Sequence, residues 1–160
     1  WWYADNEWFA PSVYGKYDTY TDYVRGFREL VADFPEVKIQ LAHYGTPRLL
    51  DRDDSSKTLH YERLQEQIDL IGSYPNLSCD LSASQHVISE GEPYPYWSCL
   101  KILQVMVEGL GAERIHWGTD WPYLGVQPYT ELIRAIREAP FLTGDQADKI
   151  LGLNAQAFLS

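Results

Sequence analysis

The chain has 160 residues, the length of one domain, and 45% of them are hydrophobic, which is sufficient for an ordinary core. Its formal net charge of −10 argues against nucleic acid and anionic membrane surfaces as partners, since both attract basic patches. It contains no run near the roughly 20 apolar residues of a membrane span, and its first residues lack the basic-then-apolar layout of a signal peptide.

The first 20 residues are rich in Trp and Tyr and follow neither a helical nor a strand period. The chain begins with Trp1-Trp2 and has no initial Met, so we expect residue 1 to lie inside a longer polypeptide. From Tyr20 onward, helical and strand patterns alternate along the chain.

The predicted elements are a helix over 20–34, a strand over 37–42, a helix around 64–71, a strand over 77–81, a helix from Pro95 to Leu110, a strand over 114–119, and two helices that begin near Pro128 and Thr143. Pro35 ends the first helix, and Gly111 ends the third. The residues from Thr143 to Gln146 have the pattern of a capping box.

This alternation of helices with short apolar strands favours an α/β fold with a parallel sheet and right-handed crossovers. Three strands are too few for a sheet that is covered on both faces, and alone they would leave two unpaired edges. We therefore interpret them as the last three strands of an eight-stranded (β/α)8 TIM barrel. On this interpretation residues 1–160 form a partial barrel domain that starts after the fifth strand.

The segment 114–123 has the pattern of a short buried strand that ends at an acid. Gly118 allows another backbone or a ligand to come close, and Pro122 prevents the strand from continuing. Parallel α/β proteins bind ligands at the carboxyl ends of their strands, so Asp120 is the first candidate for chemistry. Its alternative role is to cap the turn before Trp121.

Four segments carry a more specific signal: FPEVKIQLAHYG at 34–45, YPNLSCDLSA at 74–83, GAERIHWGTDWPY at 111–123 and KILGLNAQAFL at 149–159. In this order and at this spacing they resemble the C-terminal half of the amidohydrolase-related family, the group that includes aminocarboxymuconate-semialdehyde decarboxylase. The resemblance covers about residues 20–159.

The resemblance implies a distorted TIM barrel with a mononuclear metal site, usually zinc, at its C-terminal face. His43 matches the family's histidine at the end of the sixth strand, which activates the metal-bound water or acts on substrate. Asp120 matches the eighth-strand aspartate, which ligates the metal or handles that water's proton. The family's other ligands, a His-x-His on the first strand and a histidine on the fifth, are absent from this sequence. Since a catalytic zinc normally has three protein ligands, we expect the isolated chain to bind zinc weakly and to have no turnover.

A nearby carboxylate and imidazole can hold and transfer the proton of water that a metal has acidified. We therefore expect a metal-dependent hydrolase that acts on an amide, ester or lactone of a small-molecule substrate. One alternative within the family is a nonoxidative decarboxylase of an aromatic or unsaturated carboxylic acid. The non-catalytic alternative is an inactive fragment or a barrel completed by a partner chain, and association into a homo-oligomer stays open.

Four further residues are candidates for contact with substrate. His86 follows the seventh strand of the expected barrel, and Arg48 near a strand-end loop offers a guanidinium for a carboxylate. Trp97 ends the aromatic segment 93–97, which together with residues 1–17 would stand over the mouth of the barrel and line a pocket for a flat or aromatic acid. Trp121, after the eighth strand, is the fourth candidate. The alternative is that these aromatic residues seal loops onto the barrel or form a subunit contact.

Other polar residues have structural interpretations. His116 shares the strand parity of Asp120 and is expected to be a hydrogen-bonded core residue. Asp80 lies inside a strand and is expected to hydrogen-bond a neighbouring loop. Cys79 and Cys99 fall in a strand and a helix without a CxxC spacing, which predicts two buried reduced thiols in a cytoplasmic protein.

Overall fold

Three short β-strands alternate with α-helices in the computed structural model of the chain, which describes residues 20–45, 61–82, 89, 91–120 and 128–160. The helices are α1 (Tyr20–Asp33), α2 (Tyr61–Gly72), α3 (Trp97–Leu110), α4 (Tyr129–Arg137), α5 (Gly144–Asp148) and α6 (Asn154–Leu159), and the strands are β1 (Ile39–Leu41), β2 (Leu77–Asp80) and β3 (Ile115–His116). A π-helical turn, Lys149–Leu153, joins α5 to α6.

Each element predicted from the sequence is present, and the strands are shorter than predicted. The largest difference is β3, which ends at His116 although the pattern predicts a strand to residue 119. The next amide, that of Trp117, donates to the carbonyl oxygen of Ile150 in the π-helical turn (2.8 Å) and not to a strand. A helical segment therefore takes the place of further strand pairing at this point.

The three strands form one parallel sheet in the order β1–β2–β3. Leu41 is in register with Cys79, and Cys79 is in register with Ile115. Because all three strands run in the same direction, their carboxyl ends lie along one edge of the sheet, where the loops that follow them can meet.

One face of the sheet packs under the helices and forms the core. The largest fully buried side chains of this core include Leu64, Ile71, Leu77, Ile102, Leu103, Met106 and Ile115. Successive side chains of a strand point to opposite faces, so Ser78, Asp80 and His116 belong to the other face. The sheet thus has an apolar face toward the helices and a polar face on which a site can form.

The predicted helix-end signals are confirmed. Gly111 follows α3 with a φ of 81°, a conformation that glycine adopts without steric cost, and its amide donates to the carbonyl oxygen of Val107. Before α5, the Thr143 hydroxyl accepts from the Gln146 amide (3.2 Å), and the Gln146 side chain accepts from the Thr143 amide (2.9 Å).

Arg114 joins the last turn of α2 to the start of β2. Its guanidinium donates to the carbonyl oxygens of Ile71, Tyr74 and Leu77. The carbonyl oxygens of Ile71 and Tyr74 also accept from the backbone amides of Tyr74 and Leu77. Arg114 therefore adds a second hydrogen bond to the helix end and to the turn that follows it.

Cys79 and Cys99 are both buried thiols, as predicted. Burial raises the pKa of the Cys79 thiol, so this thiol is an inert part of the core. In the part of the chain that the structure describes, no helix is long and apolar enough to cross a membrane.

Candidate active site

His43 and Asp120, the two residues predicted to carry the chemistry, meet at the carboxyl edge of the sheet. His43 comes two residues after the end of β1, and Asp120 comes four residues after the end of β3. The His43 Nε2 atom lies 3.7 Å from Asp120 Oδ2, with 28% and 36% of the two side chains exposed. The pair is therefore close together and open to a small molecule.

Both residues have a left-handed backbone conformation, with φ of 56° at His43 and 56° at Asp120. A residue other than glycine held in this region costs of order 1 kcal/mol and persists only where its surroundings fix it. Tyr44, whose φ is 55°, has a side chain that is buried in the core and anchors the turn after β1. These unfavourable torsion angles set the direction in which the two candidate side chains leave the backbone.

Asp80, at the end of β2, binds the turn that carries His43. Its Oδ1 accepts from the backbone amides of His43 (3.0 Å) and Ser82 (2.9 Å). Its Oδ2 accepts from the side-chain amide of Gln40 (2.9 Å), on the neighbouring strand. The expected structural hydrogen bonding between Asp80 and an adjacent loop is therefore confirmed.

Ser82 is a functional candidate that the sequence pattern alone does not single out. Its hydroxyl donates to Asp80 Oδ1 and lies 2.7 Å from His43 Nδ1, and its carbonyl oxygen lies 3.1 Å from the same nitrogen. The available signal is the Asp-x-Ser spacing at a strand end, because residues two apart point to the same side of an extended chain.

Gly118 allows the segment after β3 to approach this network. A Cβ atom at position 118 would lie 3.2 Å from Ser82 Cβ and 3.7 Å from Asp80 Cγ. The first distance is tighter than ordinary van der Waals contact, so a side chain here would press on Ser82. The predicted close approach of another part of the chain to Gly118 is confirmed.

His116 lies deeper on the same face of the sheet, with 4% of its surface exposed. Its ring meets the Phe158 ring edge-on, with centroids 5.5 Å apart. Its predicted place in the core is confirmed, but among the described residues no group hydrogen-bonds its Nδ1. Burial lowers the pKa of His116, and the charge of Asp80 opposes this effect only in part.

This lowered pKa predicts a pH dependence of stability. The unfolded chain binds a proton at the ordinary imidazole pKa of about 6.5, whereas folded His116 binds it only at a lower pH. The contribution of His116 is therefore complete above about pH 6.5 and decreases as the pH falls toward its folded-state pKa, by at most about 1.4 kcal/mol per pH unit. His116→Gln should lose less stability than the natural protein between about pH 7.5 and pH 5.5, as measured by urea unfolding. Equal losses in the two proteins would contradict this.

The remaining predicted site residues stay predictions. Trp97 is the first residue of α3, and 59% of it is exposed, so it is accessible for contact with a ligand or a neighbouring loop. Arg48, His86 and Trp121 lie outside the described residues.

The donor atoms at the strand ends fit part of a metal site. Carboxylate and imidazole groups are ligand types that zinc takes in proteins. Within the described ranges, however, no group of three or more His, Cys, Asp or Glu side chains is placed to hold a metal ion. Because a catalytic zinc normally has three protein ligands, these residues alone do not make a complete site.

Comparison with known proteins identifies the fold. A family model described as amidohydrolase matches residues 10–160. The structure is similar to that of an amidohydrolase from Burkholderia multivorans solved with bound zinc, with a TM-score of 0.63 and 18% identity over 84% of this chain and 48% of the other. A second crystal form of an amidohydrolase from the same organism, with bound HEPES, gives a TM-score of 0.65 and 18% identity over 85% of this chain and 49% of the other.

The structure is also similar to that of 5-carboxyvanillate decarboxylase LigW from Sphingomonas paucimobilis, with a TM-score of 0.51 and 26% identity. That match covers 88% of this chain and 39% of the decarboxylase. No curated protein matches the chain. The chain thus spans less than half the length of these solved structures, and its three parallel strands with their helices are part of a TIM barrel.

Proposed function

The chain belongs to the amidohydrolase family, and on that basis we propose that the protein is a metal-dependent hydrolase that activates water for attack on an amide, an ester or a lactone. The observation that carries this proposal is the approach of His43 Nε2 to Asp120 Oδ2, 3.7 Å apart at the carboxyl edge of the sheet. This edge is where parallel α/β folds bind ligands. We further propose that residues 1–160 belong to a barrel domain and start after its fifth strand.

The two side chains suit the handling of a proton. A water molecule or a substrate group between them can donate hydrogen bonds to the imidazole nitrogen and to the carboxylate. His43 then acts as the general base that removes a proton and later returns it to the leaving group. Asp120 holds the donor in place and stabilises the imidazolium that forms.

A divalent metal, when bound, would lower the pKa of water toward neutrality. Asp120 would be one of its ligands, and the others would come from residues beyond those that the structure describes. The zinc in one of the similar solved structures supports zinc as the metal. Arg48, His86, Trp97 and Trp121 are proposed to line the pocket for a small-molecule substrate.

A decarboxylase is the second candidate, because one of the similar structures is that of a carboxyvanillate decarboxylase. In that reaction His43 would protonate the carbon atom that loses CO2, and the substrate would be an aromatic or unsaturated carboxylic acid. A third candidate is an inactive or partner-completed barrel, which the small number of ligand-type side chains at the described site supports.

The test compares the whole protein with Asp120→Asn and with Asp69→Asn, an exposed control on α2. We expect the natural protein to bind one zinc ion and Asp120→Asn to bind it at least about tenfold more weakly, by isothermal titration with zinc. Asp69→Asn should match the natural protein. Equal zinc affinity in all three proteins would contradict the role of Asp120.

The reaction is tested with two panels of compounds. Hydrolysis of amides, esters or lactones, lost in Asp120→Asn, would support the hydrolase. Release of CO2 from aromatic carboxylic acids, without hydrolysis of the first panel, would support the decarboxylase. If zinc is bound and neither panel reacts, the inactive barrel is favoured.

A further inference from the structure

The ring nitrogen of His43 that lies away from Asp120 faces two oxygen atoms of one residue. His43 Nδ1 lies 3.1 Å from the carbonyl oxygen of Ser82 and 2.7 Å from its hydroxyl oxygen. A backbone carbonyl oxygen only accepts hydrogen bonds, so its contact with Nδ1 requires a hydrogen on that nitrogen.

The hydroxyl contact leads to the same result. Ser82 has a single hydroxyl hydrogen, and it is donated to Asp80 Oδ1, since a carboxylate only accepts. A lone pair of the Ser82 oxygen is then left to accept from His43 Nδ1. The Asp80 carboxylate is itself held in place by the backbone amide of His43 and by the side chain of Gln40. The Ser82 hydroxyl therefore donates to a fixed acceptor, and its oxygen faces His43 as an acceptor.

We infer that Asp80 and Ser82 are positioning residues that hold His43 in the tautomer with hydrogen on Nδ1 and a free lone pair on Nε2. The atom with the lone pair is the one that faces Asp120 Oδ2, 3.7 Å away. Two acceptors that face each other in this way attract a hydrogen-bond donor or a cation between them. The tautomer follows from the contacts alone, whereas its effect on turnover rests on the proposed function.

The direct test is nitrogen NMR of the whole protein labelled with 15N-histidine. Long-range proton–nitrogen correlation distinguishes the two neutral tautomers, and the His43→Gln variant identifies the signals of His43. We expect hydrogen on Nδ1. Hydrogen on Nε2 would overturn the inference, whatever the variants do.

Ser82→Ala tests the hydroxyl, and Ser78→Ala is its matched control. Ser78 is a buried serine on β2, the strand that precedes Ser82, and its hydroxyl donates to the carbonyl oxygen of Ile39. In Ser82→Ala we expect a population with hydrogen on Nε2 and a fall in kcat of roughly 10- to 100-fold with little change in KM. Ser78→Ala should leave both the tautomer and kcat unchanged.

The outcomes separate this inference from the proposed function. A changed tautomer in Ser82→Ala with unchanged kcat would support the positioning role and contradict a catalytic role for His43. An unchanged tautomer in Ser82→Ala would overturn the positioning role of the Ser82 hydroxyl, even if kcat falls, because only the carbonyl oxygen of residue 82 then contacts His43 Nδ1. The same change in Ser78→Ala would also overturn it, because the effect would then not depend on the contact with His43.

Discussion

Replacement of His43 by Gln should lower kcat by about 10²- to 10⁴-fold, the usual contribution of a general acid–base group. The reason is the position of the imidazole, which is partly exposed and lies 3.7 Å from Asp120 at the edge of the sheet where ligands bind. KM should change little, since the lost proton transfer occurs in the transition state. Steady-state kinetics of the whole protein, with whichever substrate panel reacts, measures this effect.

His116→Gln serves as the control for this substitution, because His116 is buried and its ring packs edge-on against Phe158. Its kcat should stay within about threefold of the natural value, an effect below 1 kcal/mol. A His43→Gln protein that retains its kcat would show that the pair with Asp120 is structural.

Replacement of Arg114 by Met should lower the free energy of unfolding by about 2–4 kcal/mol. The guanidinium donates to three backbone carbonyls, and a hydrogen bond from a charged donor contributes roughly 1.5–3 kcal/mol net of exchange with water. Two of these carbonyls keep a backbone donor when the side chain is replaced, which reduces the total loss. Methionine retains the length and apolar stem of the side chain and removes the donors. Urea unfolding at constant pH measures the change.

Two control substitutions test whether the hydrogen bonds of Arg114 cause this loss of stability. Arg114→Lys keeps the charge but lacks the planar guanidinium that donates in several directions. We therefore expect its free energy of unfolding to lie between those of the natural protein and Arg114→Met. Arg134→Met removes an exposed ion pair with Glu138 and should change stability by less than about 0.5 kcal/mol. If Arg114→Met were as stable as Arg134→Met, the three hydrogen bonds would contribute nothing net.

The order and type of the elements could be predicted from the sequence because the signals are local. The three- and four-residue spacing before Pro35 marks α1, and the capping box at Thr143 marks α5. The ends of the strands are less predictable. The length of β3 depends on the π-helical turn that binds Trp117, about 33 residues away along the chain, and no local pattern shows that contact.

The candidate site was predictable only in part. His43 and Asp120 follow strands, so their position at one edge is a consequence of parallel topology. The contacts of Asp80 and Ser82 with His43 depend on the register between β1 and β2 and on the turn after β1. Such register is set by packing across the sheet, which a single sequence does not specify.

The left-handed backbone at His43 and Asp120 has a consequence for how the protein responds to selection in the laboratory. Glycine occupies this conformation without steric cost, so a substitution to glycine at either position would relieve local strain while removing the functional group. A screen for thermal resistance alone would therefore tend to enrich variants that lack the proposed catalytic side chains. Selection for thermostable variants of this protein therefore also requires an assay of turnover.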